Sequence, residues 1–235
     1  MTVLLVAGTI GAGKSTLTDM IADKMQSKPF YENVDDNEVL PLFYSDPNRY
    51  AFLLQIFFLN KRFLAMKEAL QQDNNVLDRS IYEDSLLFHL NADFGRISQI
   101  EVNQYDSLLH TMLQELEANA PKKRPDLMIF IKVSFETMLK RIEKRGRDYE
   151  QIAYNPDLYE YYQELNRRYN QWYENFDLCP KLIIDGDQYD FVSNPQDAKR
   201  VLELIQQAKN KLEAAPLDIA NYQTENDLEK GIFAV

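Results

Sequence analysis

Near the N-terminus the run Gly8-Thr9-Ile10-Gly11-Ala12-Gly13-Lys14-Ser15-Thr16 matches the pattern G-x-x-x-x-G-K-[ST] and holds three of the seven glycines within six residues. Glycines let successive backbone N–H groups turn inward around phosphate oxygens, and a helix that starts at the loop adds its dipole to the anion site. An apolar run, Val3 to Val6, precedes the loop and a helical pattern follows it, which is the context the motif requires. Lys14 can then reach the β- and γ-phosphates, and the Ser15 hydroxyl can ligate Mg²⁺. A glycine turn without function matches the loop by chance but not the strand, the Lys-Ser pair and the helix together, so the motif implies a nucleoside triphosphate site.

Two carboxylates stand where a doubly wound sheet places its site, at the carboxyl ends of strands. Asp78 follows the apolar Val76-Leu77 and opens Asp78-Arg79-Ser80; it can hold Mg²⁺ directly or through water. Glu32 lies in Tyr31-Glu32-Asn33-Val34-Asp35-Asp36 and can take a proton from an attacking hydroxyl. A single acid at a strand end is commonly just solvated; two flanking a phosphate loop point to function. The segment Arg141-Ile142-Glu143-Lys144-Arg145-Gly146-Arg147 packs four basic residues into seven. Such clusters are usually solvated helix faces, but after the fourth strand this one suits a lid whose arginines bind phosphate oxygens bidentately.

The elements that position these groups alternate, short apolar strands with long helices, as in a parallel sheet with crossover helices. Strands are predicted at Val3–Val6, Phe30–Val34, Asn75–Leu77, Leu127–Val133 and Lys181–Ile184. Asp46-Pro47 and Asn194-Pro195 each offer an N-cap followed by proline at the first helical position, and Ser134 can cap a helix from Phe135 towards Lys144. The helix from Pro47 to Leu70 is apolar over more than one stripe, which calls for a partner subunit or helix as well as the core. Within it Gln55 sits among apolar neighbours, where an amide is costly unless paired, and Arg62 lies two turns on along the same face. The helical period is lost from Pro216, so the expected organisation is one domain over residues 1–215 and a tail over 216–235.

Composition narrows the function classes. With 26 basic and 37 acidic residues the net charge is −11, which argues against a nucleic acid polymer or an anionic membrane as partner. One cysteine and two histidines leave no material for a disulfide framework or a Cys/His metal site. No apolar run approaches ~20 residues, and the N-terminus reads as a strand and not a signal peptide, so the expected compartment is the cytoplasm. A guanine-specific switch would need N-K-x-D, and Asn60-Lys61-Arg62-Phe63 lacks the aspartate.

Together the phosphate loop, Phe30-Tyr31-Glu32-Asn33-Val34, Asp78-Arg79-Ser80 and the arginine-rich segment resemble the deoxynucleoside kinase family, most of all the bacterial deoxyadenosine and deoxyguanosine kinases, over about residues 1 to 205. The resemblance implies an α/β P-loop kinase fold with a five-stranded parallel sheet, a dimer, and Mg²⁺-dependent transfer of the ATP γ-phosphate to a deoxynucleoside 5′-hydroxyl. By it, Glu32 binds the 5′-hydroxyl and is preferred as the base, since a metal would hold Asp78 ionised and poorly basic. Arg79 bridges the 5′-oxygen and the moving phosphoryl group, Tyr44 and Glu164 hold the sugar 3′-hydroxyl, Gln55 reads the base edge, and Asp84 pairs with Arg62. Glu143 stands where some relatives carry a further lid arginine. A nucleoside monophosphate kinase of the thymidylate kinase type shares the loop, the Asp-Arg pair and a basic lid. It must bind an acceptor phosphate, however, and between Pro29 and Gln55 the only basic residue is Arg49. A regulatory module that binds nucleotide without catalysis would leave the acceptor-side residues without a role.

Overall fold

In the computed structural model, residues 2–32 and 37–214 are described. Among them five parallel strands, β1 (Val3–Ala7), β2 (Lys28–Phe30), β3 (Asn75–Asp78), β4 (Leu127–Lys132) and β5 (Lys181–Asp185), lie in the order β2-β3-β1-β4-β5. The helices are α1 (Lys14–Met25), α2 (Val39–Ser45), α3 (Pro47–Ala69), α4 (Asp84–Asp93), α5 (Gln99–Asn119), α6 (Phe135–Arg145), α7 (Leu158–Asn175) and α8 (Pro195–Ala214). Every residue of β1 is buried, as expected of a strand covered on both faces, and its Leu5 pairs with Leu77 of β3 and Met128 of β4. The chain leaves β1 for one edge of the sheet, returns beside it as β3, and crosses to its other side as β4. That reversal opens the crevice at the strands' carboxyl ends where sheets of this kind bind ligands.

The helix starts follow the predicted caps. The Asp46 side chain accepts from the Arg49 N–H at 3.2 Å, Ser134 Oγ from Thr137 N–H at 3.2 Å, and Asn194 Oδ1 from Gln196 N–H at 2.9 Å. Helix α6 ends where Gly146 takes φ +71°, a left-handed terminus that glycine adopts without penalty.

One expectation needs correcting. The second strand is Lys28–Phe30 and not Phe30–Val34: it is an edge strand bonded to β3 alone, which tolerates Pro29, and its last pair is Phe30 with Leu77. Tyr31 and Glu32 have therefore left the sheet, and residues 33–36 lie outside the described residues. Tyr44 is carried by α2. The tail over 216–235 lies outside the described residues, and α8 ends at Ala214, next to the expected domain boundary. No described helix is long and apolar enough to cross a membrane.

Candidate active site

The phosphate loop joins the buried β1 to α1 with no slack. A Cβ on Gly8 (φ +146°) would come within 2.8 Å of the Ile131 carbonyl oxygen, so only glycine fits against β4 there. Gly13, at φ +96°, forms the helix N-terminus with Phe191 packed over it. The Thr9 hydroxyl faces Met138 Sδ at 3.4 Å, the Ala12 side chain is buried, and the Ala12 carbonyl accepts from Arg141 Nη1 at 3.0 Å. Thr9 and Ala12 thus leave only backbone groups for a phosphate. Lys14 Nζ donates to the Thr9 carbonyl oxygen at 2.9 Å, and burial, with Arg79 nearby, pulls its pKa down to about 7. Ser15 Oγ donates to Asp78 Oδ2 at 2.5 Å.

Two clefts meet at this loop. On one side Thr16, Arg141, Lys144 and Asp187 line a cleft with Gly11, Gly13, Lys14 and Ser15. On the other, Gln55, Arg62, Tyr44 and Glu150 line a pocket that reaches Glu32, Asp78 and Arg79. Ile10 borders the second, and Gly11, Lys14, Ser15, Arg145 and Arg147 border both. Arg141 is held between Ala12 and the Gly186 carbonyl oxygen, to which its Nη2 donates at 2.7 Å, so it serves the first cleft only. Glu143 is exposed and lines neither.

Where the clefts join, charge is closely matched. Glu32 binds Arg62 through Nε, at 2.8 Å, and Nη2, while its second oxygen lies 2.7 Å from Arg79 Nε. Burial pushes the Glu32 carboxyl up, but Arg62 and Arg79 outweigh it and hold its pKa below the usual carboxylate range. Asp78 differs: burial raises its pKa in spite of Lys14 and the Ser15 hydroxyl. Its Oδ1 is buried with no hydrogen-bond partner among the described residues. The expected Arg62–Asp84 pair is present, Nη1 to Oδ1 at 2.5 Å, and the Tyr105 hydroxyl donates to Asp84 Oδ2 at 3.1 Å. Asp84 is fully buried and outside the pocket wall, so it acts through Arg62. Gln55 is 3% exposed, and its Oε1 is buried without a partner among the described residues. Such an amide oxygen calls for a donor from a bound molecule.

Glu164 is not brought to this pocket. It sits on the outward side of α7, gripped by Arg167 through two bonds of 2.7 Å and by Arg168 Nε at 2.8 Å, and the Arg167 bonds depress its pKa to about 2. The acid that does face Tyr44 is Glu150, 2% exposed, on the short 3-10 turn Asp148–Glu150 after the arginine-rich segment. It is paired with Arg145 and lies 3.6 Å from Arg147. Sequence reasoning passed over it, although an acid three residues beyond Arg147 was visible as the counter-charge of the basic cluster. Tyr161 and Tyr162 of α7, which also line the pocket, carry no comparable signal in the sequence.

Comparison with known proteins accounts for this arrangement. A family model described as deoxynucleoside kinase matches residues 4–209. The chain is similar to a deoxyguanosine kinase of Lactobacillus acidophilus, 55% identical over 218 residues that cover 93% of this chain and 95% of the relative. It is 48% identical over 203 residues to a deoxyadenosine kinase of the same organism, covering 86% and 94%. A solved structure of deoxyadenosine kinase from M. mycoides with bound dATP superposes with a TM-score of 0.70 at 29% identity, covering 90% of this chain and 99% of that one. A phosphate loop that shares lysine, serine and arginines with a second, acid-lined pocket suits transfer between two bound molecules, and the chain belongs to the deoxynucleoside kinase family.

Proposed function

We propose that this enzyme transfers the γ-phosphoryl group of ATP to the 5′-hydroxyl of a purine deoxynucleoside, deoxyguanosine foremost, in nucleotide salvage. The carrying observation is the pocket that runs from the unpaired Gln55 amide oxygen to Glu32 and Arg79 and there meets the phosphate loop. A nucleoside laid along it has its base at Gln55, its sugar beside Tyr44 and Glu150, and its 5′-hydroxyl at Glu32. The ranking of bases rests on similarity, 55% to a deoxyguanosine kinase against 48% to a deoxyadenosine kinase. The Gln55 amide, donor and acceptor at once, can meet either purine edge. Arg62, held in the pocket wall by Asp84 behind it, fills the space that a thymine 5-methyl group would need, so thymidine is a poor substrate.

Both residues expected to hold Mg²⁺ fit it. Ser15 Oγ and Asp78 Oδ2 stand side by side, and Asp78 Oδ1 is an orphaned buried oxygen, the donor set of a hard cation that arrives with a nucleotide. Among the described residues no group of three His, Cys, Asp or Glu forms a metal site by itself, so the triphosphate would complete the shell. The bound ion would neutralise charge on the β- and γ-oxygens. Lys14 and the loop N–H groups bind the triphosphate, Arg145 and Arg147 close over it from the wall that both clefts share, and Arg79 bridges acceptor oxygen and phosphoryl group. Glu32, ionised and pinned at both oxygens, orients the hydroxyl and takes its proton. Weak basicity suffices, because in a loose transition state the hydroxyl sheds its proton late.

The outer side of α3 supports a dimer. Leu53 and Leu64 are about half exposed and Phe57 half-buried, all on one face, and Leu108 of the neighbouring α5 extends that face. The deciding experiment is ATP turnover with deoxyguanosine, deoxyadenosine, deoxycytidine and thymidine. Purine turnover at least tenfold above thymidine is expected. Equal rates would refute the pocket, and turnover only with nucleoside monophosphates would restore the rival kinase class.

A further inference from the structure

Tyr169 of α7 is 1% exposed, and its ring packs edge-on to Trp172 with centroids 6.3 Å apart. Phenylalanine would make that packing equally well. A buried hydroxyl is a cost unless paired, and this one is paired twice: it donates to Glu83 Oε2 at 2.8 Å and accepts from Arg79 Nη1. Glu83, fully buried, ends the 3-10 turn Ile81–Glu83 that follows Asp78-Arg79-Ser80. Its Oε1 accepts from the Ser80 N–H at 3.1 Å, and its Oε2 is 3.4 Å from Arg79 Nη1. Trp172 Nε1 adds a bond of 3.2 Å to the Tyr82 carbonyl oxygen, which fastens α7 to the same turn.

The groups converge on an arginine that its backbone does not aim. Arg79 takes φ +72°, a left-handed conformation that a non-glycine residue keeps only where its surroundings overdetermine it. Its long side chain has many rotamers, yet Nε is fixed by Glu32 and Nη1 by Tyr169 and Glu83. We propose that Tyr169 and Glu83 are positioning residues for phosphoryl transfer, holding the Arg79 guanidinium where it spans acceptor oxygen and phosphoryl group. The proposal rests on the role given to Arg79 above. Burial works against the Arg79 charge, and Tyr169, Glu32 and Glu83 overcome it, so the same contacts keep the guanidinium charged and aimed.

A group that acts only when the phosphoryl moves affects kcat and spares both KM values, whereas loosened packing raises KM as well. Tyr169→Phe removes one oxygen and should lower kcat about tenfold, since a small misplacement of a catalytic group costs one to two decades. The KM values for ATP and deoxynucleoside should stay within about twofold. The same substitution in an Arg79→Lys background should change kcat by less than about twofold, because the tyrosine works through the arginine. A wild-type kcat for Tyr169→Phe, an equal loss in both backgrounds, or a rise in both KM values matching the fall in kcat would each overturn the proposal. If Arg79→Lys itself turns over at the wild-type rate, the role of Arg79 is what has failed. Should Tyr169→Phe not fold, Glu83→Gln takes its place, since it keeps an acceptor for the Ser80 cap. It must lower kcat in the wild-type background and not in Arg79→Lys.

Discussion

Arg62 is shared by two acids, Asp84 fully buried and Glu32 partly so, and this decides what its removal costs. Asp84→Ala would strand an arginine if the pair stood alone, at about 3–5 kcal/mol. Glu32 remains as a second carboxylate, so the cost should sit at the lower end, about 3 kcal/mol, from a lost charged bond and the orphaned Tyr105 hydroxyl. Arg62→Met is the harsher change: Glu32 keeps Arg79, but Asp84 is left fully buried with no cation, at about 4 kcal/mol at pH 7. The Asp84 pKa, which burial already pushes up to about 6 against Arg62, must then rise further. A folded-state pKa above the unfolded one gives stability that is present at low pH and lost as pH rises. From pH 7 down to 6 the variant therefore gains a proton while the wild type is only half way, and its penalty shrinks by about 1 kcal/mol; below that both are protonated and little changes. The Arg62→Met/Asp84→Ala double variant removes both charges and should cost no more than Arg62→Met alone, a coupling of about 3 kcal/mol. Urea unfolding at fixed protein concentration, followed by fluorescence of the single, buried Trp172, measures all four proteins. Additive costs, or a penalty for Arg62→Met that is flat between pH 7 and 6, would refute the shared pair.

Glu32→Gln keeps size and hydrogen bonding but loses basicity, so kcat should fall ~10²–10⁴-fold with ATP affinity unchanged; if it is near wild type while Asp78→Asn is inactive, the two acids exchange roles. Glu150→Gln should raise the deoxynucleoside KM about tenfold or more, because a buried acceptor facing the sugar is altered, whereas Glu164→Gln should stay within about twofold; steady-state kinetics with the opposite ranking would return Glu164 to the pocket. Light scattering at micromolar concentration should report about twice the 27.6 kDa chain mass, and Leu53→Lys/Leu64→Lys should lower it towards one chain; a wild-type monomer would remove the dimer.

What the sequence revealed and what it hid divide along a physical line. The phosphate loop, the strand before it, the capped helices and Asp78-Arg79 are local: strand, turn and helix are encoded within one stretch of chain, and their chemistry follows from residue types at fixed spacing. The Arg62–Asp84 pair was legible because a buried guanidinium demands a carboxylate and the family resemblance named it. Its second partner, Glu32, was not, because 30 residues separate them and the sequence placed Glu32 within the second strand, which ends at Phe30. The acid that lines the pocket beside Tyr44 was missed for a related reason. Glu164 and Glu150 are both acids near arginines, and only folding decides which is spent on its own helix neighbours and which is turned inward. Tyr169 carries no motif at all, and its hydroxyl meets Arg79 across 90 positions of sequence. The contacts Asp84–Arg62–Glu32–Arg79–Tyr169 form one unbroken run behind and along the pocket, drawn from the exits of β2 and β3 and from α3, α4 and α7. Each link needs two elements already packed, so the run exists only once the sheet and its helices have assembled.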